Sequence, residues 1–144
     1  MKPLNELKMQ LESRSVNEGY ARTAVSAFIS QLDPTIEELN DIRTSVSEAV
    51  TNCIVHAYKN SCGKIYIDVK IFGDGKTVTK IRDRGRGIED IKKARQPLFT
   101  TLGGDRSGLG LSVMERFSDK VRVTSTLGKG TTVTLYKTIK GKEQ

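Results

Sequence analysis

Histidine occurs once and cysteine twice in the 144 residues. Cys53 and Cys62 stand nine apart with no second pair, so their spacing does not fit a zinc site, and a reduced, cytoplasmic protein is the simplest expectation. No stretch approaches the ~18–20 consecutive apolar residues of a membrane span. The opening Met1-Lys2-Pro3-Leu4-Asn5-Glu6 also lacks the apolar run of a secretory signal. Two phosphate-binding signatures are missing as well. Gly75-Lys76-Thr77 resembles the end of a P-loop, but Lys70 stands where its first glycine is needed, and no strand-turn-helix G-x-G-x-x-G unit is present.

The hydrophobic content of 36% and charged content of 28% are those of an ordinary globular chain, which excludes a disordered, collagen-like or membrane class. Residues 1–144 are read as one domain, long enough to bury roughly 68–70% of the surface of the unfolded chain. Lys and Arg number 24 against 17 Asp and Glu, a formal charge of +7. Residues 1–75 carry 8 basic and 10 acidic side chains, 76–106 carry 9 and 4, 107–119 carry 1 and 2, and 120–144 carry 6 and 1. The excess therefore lies in the second half, which admits nucleic acid, an acidic partner or phosphate chemistry. A DNA-binding protein would need a basic recognition helix, whereas the helical first half is net acidic, so direct nucleic-acid binding is not expected.

Leu7, Met9 and Leu11 alternate with polar residues and predict a first strand. Ser15-x-x-Glu18 reads as a capping box before Ala21, Ala24, Val25, Phe28, Ile29 and Leu32, which have helical spacing. Asp33-Pro34 ends that helix. Thr35-x-x-Glu38 predicts a second box and a longer helix to about Tyr58, with Leu39, Ile42, Val46, Ala49, Val50, Cys53 and Ala57 as its apolar stripe. The period then falls to two at Ile65, Ile67, Val69 and Ile71, and Gly73-Asp74-Gly75 turns into a strand near Thr77–Arg82. A short helix over Glu89–Arg95, another from about Leu109 to Phe117, and strands at Val121–Val123 and Val133–Leu135 complete the chain. In the later helix Leu109, Val113 and Phe117 share one side. This order predicts an α+β two-layer sandwich, with helices on one face of a mainly antiparallel sheet.

Glu48, Asn52 and His56 fall at i, i+4 and i+8, each step advancing only about 40° around a helix, so they form a polar row beside the apolar stripe. Such a row is either a solvated flank or a carboxylate and carboxamide placed to hold a divalent cation and its water. The single histidine reads more simply as a packed or dipole-compensating residue. Asp83-x-Gly85-x-Gly87 is either a plain turn or a loop that lets a ligand approach the backbone. Ser107-Gly108-Leu109-Gly110 offers backbone N–H groups to an anion.

The order of these motifs, closed by Gly130-Thr131-Thr132 entering the last strand, resembles the ATP-binding (Bergerat-type) domain shared by gyrase, Hsp90, sensor histidine kinases and MutL. Ser47-Glu48-Ala49-Val50-Thr51-Asn52 together with Ala94-Arg95-Gln96-Pro97-Leu98-Phe99-Thr100-Thr101 is similar to the small serine-kinase anti-sigma factors, most closely their sporulation, sigma-F branch. The resemblance implies a cytoplasmic, homodimeric protein serine/threonine kinase that binds ATP and Mg²⁺, holds a sigma factor and phosphorylates an anti-anti-sigma protein. A general-stress kinase of the same family and an ATP-gated sigma-binding module without kinase activity are the alternatives.

By the same resemblance Glu48 is the base, Asn52 the Mg²⁺ ligand, and Asp83 the acceptor for the adenine amino group, with Gly85 and Gly87 shaping its pocket. Thr100, Thr101 and Arg106 belong to a lid, while Ser107, Gly108, Gly110 and Thr131 line the nucleotide. Glu18, Arg22 and Arg106 meet protein partners. The chain departs from the family pattern in the short Gly103-Gly104 lid, in Arg84 and Arg86, and in Ala57.

Overall fold

A computed structural model of the chain describes residues 1–58, 61–87 and 110–142. Its strands are β1 (Asn5–Glu12), β2 (Lys64–Ile71), β3 (Lys76–Asp83), β4 (Lys120–Thr126) and β5 (Gly130–Thr138). The α-helices are α1 (Val16–Ile29), α2 (Ile36–Asn52) and α3 (Leu111–Phe117). The sheet runs β1-β2-β3-β5-β4 with every neighbouring pair antiparallel. α1 and α3 both pack against α2, and all three cover one face of the sheet. This is the expected α+β sandwich. The short helix expected over Glu89–Arg95 lies outside the described residues.

The two-residue period puts alternate side chains on the helix-covered face. Met9, Ile67, Ile81, Val133 and Val123 form one register row across all five strands, and Leu7, Val69, Thr79, Leu135 and Val121 form the next. Ile65, Ile67, Val69 and Ile71 are fully buried against Val25, Ile29, Val46 and Val50 of the helices. A third row begins with Leu11 and Ile65 and then reaches Asp83. The phase that places Ile81 in the core thus places a carboxylate there two residues later.

The two predicted capping boxes differ. At Thr35 the box is complete: Glu38 N–H donates to Thr35 Oγ1 (3.0 Å), and Thr35 N–H donates to Glu38 Oε1 (2.9 Å). At Ser15 it does not form. Ser15 is already helical (φ −53°, ψ −38°) rather than extended, and Glu18 N–H donates to the Ser15 carbonyl instead (3.2 Å). Asp33 then ends the first helical segment in a left-handed conformation (φ 53°), as the Asp33-Pro34 pair predicted.

α3 also departs from expectation. Leu111 and Met114 are its buried residues, three apart on one face, while Val113 and Phe117 are only half-buried, and the helix begins at Leu111. The basic C-terminal segment finds its partners on α2, in the turn before it and at the end of α3. Lys137 Nζ donates to Asp41 Oδ2 (2.8 Å) and to the Phe117 carbonyl (3.3 Å), and Lys142 pairs with Asp33 (3.3 Å). Among the described residues, no helix is long and apolar enough to cross a membrane.

Candidate functional site

α2 carries Glu48 and Asn52 half-buried at the edge of its apolar stripe. Beyond Asn52 the helix widens into one π-helical turn, Cys53–Ala57, where the bonding step lengthens to five residues: Tyr58 N–H donates to the Cys53 carbonyl (3.1 Å). The wider turn ends the 40° drift of the polar row, and His56 is buried, 6% exposed, while Glu48 and Asn52 remain at the border. The turn also supports the loop after β3. Arg86 N–H donates to the Ala57 carbonyl (3.1 Å), and Tyr58 Oη accepts Arg84 N–H (2.7 Å) while donating to the Lys64 carbonyl (2.6 Å).

Asp83 lies at the end of β3, 6% exposed. Its Oδ1 accepts the N–H groups of Gly85 (2.9 Å) and Thr131 (3.2 Å), and its Oδ2 accepts the Cys53 thiol (3.7 Å). Burial pushes this carboxyl above the ordinary aspartate value, and the donors on Gly85, Thr131 and Cys53 offset only part of that. The same desolvation, reinforced by the Asp83 charge, holds the Cys53 thiol well above the usual range.

Glycine is needed around this carboxylate because the chain segments touch. A Cβ on Gly85 would collide with the Ala57 carbonyl. At Gly130, with φ 127°, it would collide with the Asp83 carbonyl. Gly87 (φ 78°) crosses the Thr126 carbonyl. Arg84 lies elsewhere: its guanidinium and that of Arg82 stack over Tyr66, on the sheet face away from the helices.

At the other end, Gly110 precedes α3 with φ 73°, and a Cβ there would run into the Glu48 carboxylate. The structure therefore brings Glu48 and Gly110 together and, across the π-turn, Asp83, Gly85 and Thr131. Thr100, Thr101, Arg106, Ser107 and Gly108 lie outside the described residues. Among the described residues there is no cluster of three metal-binding side chains. An Mg²⁺ ion shared with phosphates needs only one or two protein ligands, so a single Asn52 carboxamide suits it. The buried acceptor of Asp83, whose Oδ2 carries one donor among the described residues, fits an adenine amino group in the same way.

On α1, Arg22 Nε and Glu18 Oε2 form an i, i+4 ion pair at 3.2 Å, both side chains partly buried. Cys53 and Tyr58 are the contributors that sequence reasoning missed. By sequence Cys53 reads only as part of the apolar stripe and Tyr58 only as the end of the helix; the π bond from Tyr58 N–H to the Cys53 carbonyl sets Tyr58 against the loop.

The histidine kinase-like ATPase domain family matches residues 11–137. The anti-sigma F factor of Caldanaerobacter subterraneus is 54% identical over 136 residues, 94% of each chain. That of Thermoanaerobacter sp. is 54% identical over 140 residues (96% of this chain, 97% of the relative), and that of Anoxybacillus flavithermus 51% over 135 (92% of each). Among solved structures, the RsbU and RsbW domains of a Mycobacterium tuberculosis protein superpose with a TM-score of 0.70 at 22% identity. That match covers 95% of this chain and 33% of the longer one. The histidine kinase domain of an Erythrobacter litoralis blue-light activated kinase gives 0.58 at 19%, covering 85% of this chain and 61% of that one. These two likenesses concern the fold. With the family matched over most of its length and half its residues shared with those relatives, the chain belongs to the histidine kinase-like ATPase domain family, in its anti-sigma F factor branch.

Proposed function

We propose that the chain is an ATP-dependent anti-sigma factor that sequesters a sigma-F-type sigma factor and phosphorylates a serine of its anti-anti-sigma antagonist. One observation carries the reading: a single helix delivers Glu48 to Gly110 at one end and, through its π-turn, Cys53 and Ala57 to the Asp83 loop at the other. A base for phosphoryl transfer and a buried acceptor for an amino group are thereby fixed to one rigid element.

In this reading Asp83 accepts the adenine amino group, Gly85 and Gly87 shape the pocket by letting the loop pack against Ala57 and Thr126, and Thr131 lines it. Gly110, with Thr100, Thr101, Ser107 and Gly108, faces the phosphates. Mg²⁺, held by Asn52 and the phosphates, would neutralise the charge that develops there. Glu48 takes the proton of the antagonist's serine hydroxyl as that oxygen attacks the γ-phosphoryl group, the bond from the γ-phosphorus to the bridging oxygen breaks, and ADP leaves. Arg106 lies between nucleotide and protein substrate. Arg22 and Glu18 on α1 engage the partner by exchanging their mutual ion pair for contacts across the interface, and the working form is a homodimer in the cytoplasm.

The test uses labelled ATP and the purified antagonist. Glu48→Gln should retain ATP and the sigma factor but transfer no phosphate at a useful rate, and transfer at the wild-type rate would remove Glu48 as the base. Wild-type protein that binds both ATP and the sigma factor yet never labels the antagonist would instead mark an ATP-gated binding module. Arg22→Ala should weaken sigma binding while leaving ATP affinity unchanged.

A further inference from the structure

Asp83 Oδ1 has two lone pairs and two donors, the N–H groups of Gly85 and Thr131. It is saturated. Oδ2 carries a single donor among the described residues, the Cys53 thiol, and so keeps capacity for one more. Three bonds from three separate elements, the loop after β3, the start of β5 and the π-turn, hold the carboxylate in one plane. Rotation about Cβ–Cγ would break all of them at once. The thiol is the sole member of this set supplied by a side chain, and therefore the one that a substitution can remove.

We propose that Cys53 is a positioning residue for base selection: its thiol fixes the Asp83 carboxylate so that the remaining site on Oδ2 is presented to an exocyclic amino group. This rests on the proposed role of Asp83. Cys53 sits one residue beyond Asn52, so the same turn of helix orders the base acceptor and carries the residue assigned to the phosphate end. Cys53 is 3% exposed and its thiol is bonded to a carboxylate, so its part is geometric, and no covalent step is assigned to it.

The experiment measures equilibrium binding by calorimetry, without antagonist or turnover, for ATP and for the 6-unsubstituted purine riboside triphosphate. Wild-type protein should prefer ATP. Equal binding of the two nucleotides by the wild type would overturn the role of Asp83 itself, and the Cys53 inference with it. Cys53→Ala and Cys53→Val both remove the donor, the second without leaving a cavity. Either should bind ATP about three- to tenfold more weakly, the worth of one lost hydrogen bond, with the analogue unaffected. Cys53→Ser, whose hydroxyl restores a donor, should return the ATP preference to within about twofold of the wild type.

Equal weakening for both nucleotides would assign Cys53 a packing role only and overturn the inference, as would an unchanged ATP preference in a folded donor-less variant. If neither donor-less variant folds, Cys53→Ser decides: an ATP preference lost despite the hydroxyl overturns the proposal, and one that is kept supports it.

Discussion

At the end proposed to hold the base, Asp83 is 6% exposed and its Oδ1 already accepts two backbone N–H groups, whereas at the end proposed for the phosphates Glu48, beside Gly110, and Asn52 stand half-buried on α2. The difference suits the proposed division of labour. Selecting a base requires a fixed acceptor shielded from water, and the shielding is accomplished during folding, at the cost of a desolvated carboxylate. Transferring a phosphoryl group requires side chains that meet solvent, a protein hydroxyl and an ion in turn, so burying them completely would defeat their use. Substitutions at the base end should therefore change both stability and binding. Substitutions at the phosphate end should move chemistry alone.

The largest effect belongs to Glu48→Gln. Loss of a general base costs about 10²–10⁴ in rate, so phosphorylation of the antagonist should fall by that factor. The melting curve should stay within about 0.5 kcal/mol of the wild type, as for other substitutions outside the core. A large change in melting would break the contrast, because Glu48 would then be part of the folded framework.

Asp83→Asn probes the opposite end and should be the next in size. The carboxamide can still accept from Gly85 and Thr131, but an NH₂ replaces Oδ2 and faces the adenine amino group donor to donor. ATP affinity should drop about 10- to 100-fold by isothermal titration, the range for a lost charge-assisted hydrogen bond. Stability should move the other way. Burial raises the folded pKa of Asp83 above its ordinary value near 3.8, so the native state binds that proton more readily than the unfolded chain does. Ionised Asp83 therefore opposes folding at neutral pH, and the neutral Asn variant should melt no lower than the wild type.

Acidification repeats the same experiment without a mutation, and its effect is bounded by that of the substitution. As pH falls through the raised value of Asp83, its opposition to folding is relieved while its capacity to accept from adenine disappears. Affinity for ATP should weaken over that window, and the stability difference between wild type and Asp83→Asn should close. Glu38 carries the opposite sign. Burial alone would raise it, but the N–H groups of Thr35, Lys140 and Gly141 prevail and lower it, so its contribution to stability is full above about 4.5 and is lost as pH falls through its lower folded value. A difference that widened on acidification would show that Asp83 is not the group responsible.

How much of this was legible beforehand depended on whether a motif's meaning was local. Glu48 and Asn52 could be placed by helical spacing and Asp83 by the Asp-x-Gly-x-Gly loop it opens, because each needs only its own stretch of chain; that Asp83 continues the buried phase of β3 was not foreseen. Thr35-x-x-Glu38 and Ser15-x-x-Glu18 look alike in sequence, yet one capped and the other did not. The tight turn after β1, where Arg14 N–H donates to the Glu12 carbonyl (2.8 Å), leads Ser15 into helical geometry. Glu38 gained further partners from Lys140 and Gly141, about a hundred residues away, and no local pattern announces those. The π-turn was the larger omission. Neither proline nor glycine lies in Cys53–Ala57, so the sequence shows no break there, and nothing in it announces that the Ala57 carbonyl and the Tyr58 hydroxyl will hold the loop after β3.

Tyr58 offers the smallest and finest division between the two ends. Its hydroxyl bridges the Arg84 N–H and the Lys64 carbonyl, and its ring occupies the space that a Cβ on Gly63 would need. Tyr58→Phe keeps the ring and removes both bonds, so stability should fall by about 1–2 kcal/mol in a denaturant titration. The loosened loop carries Asp83 at its start, so ATP affinity should fall a few-fold. The rate of phosphate transfer at saturating ATP should not change, because Glu48, Asn52 and Gly110 lie on the far side of the π-turn from the lost bonds. A fall in that saturated rate with affinity intact would mean that the π-turn transmits strain along α2 to Glu48, and that the two ends do not fail independently.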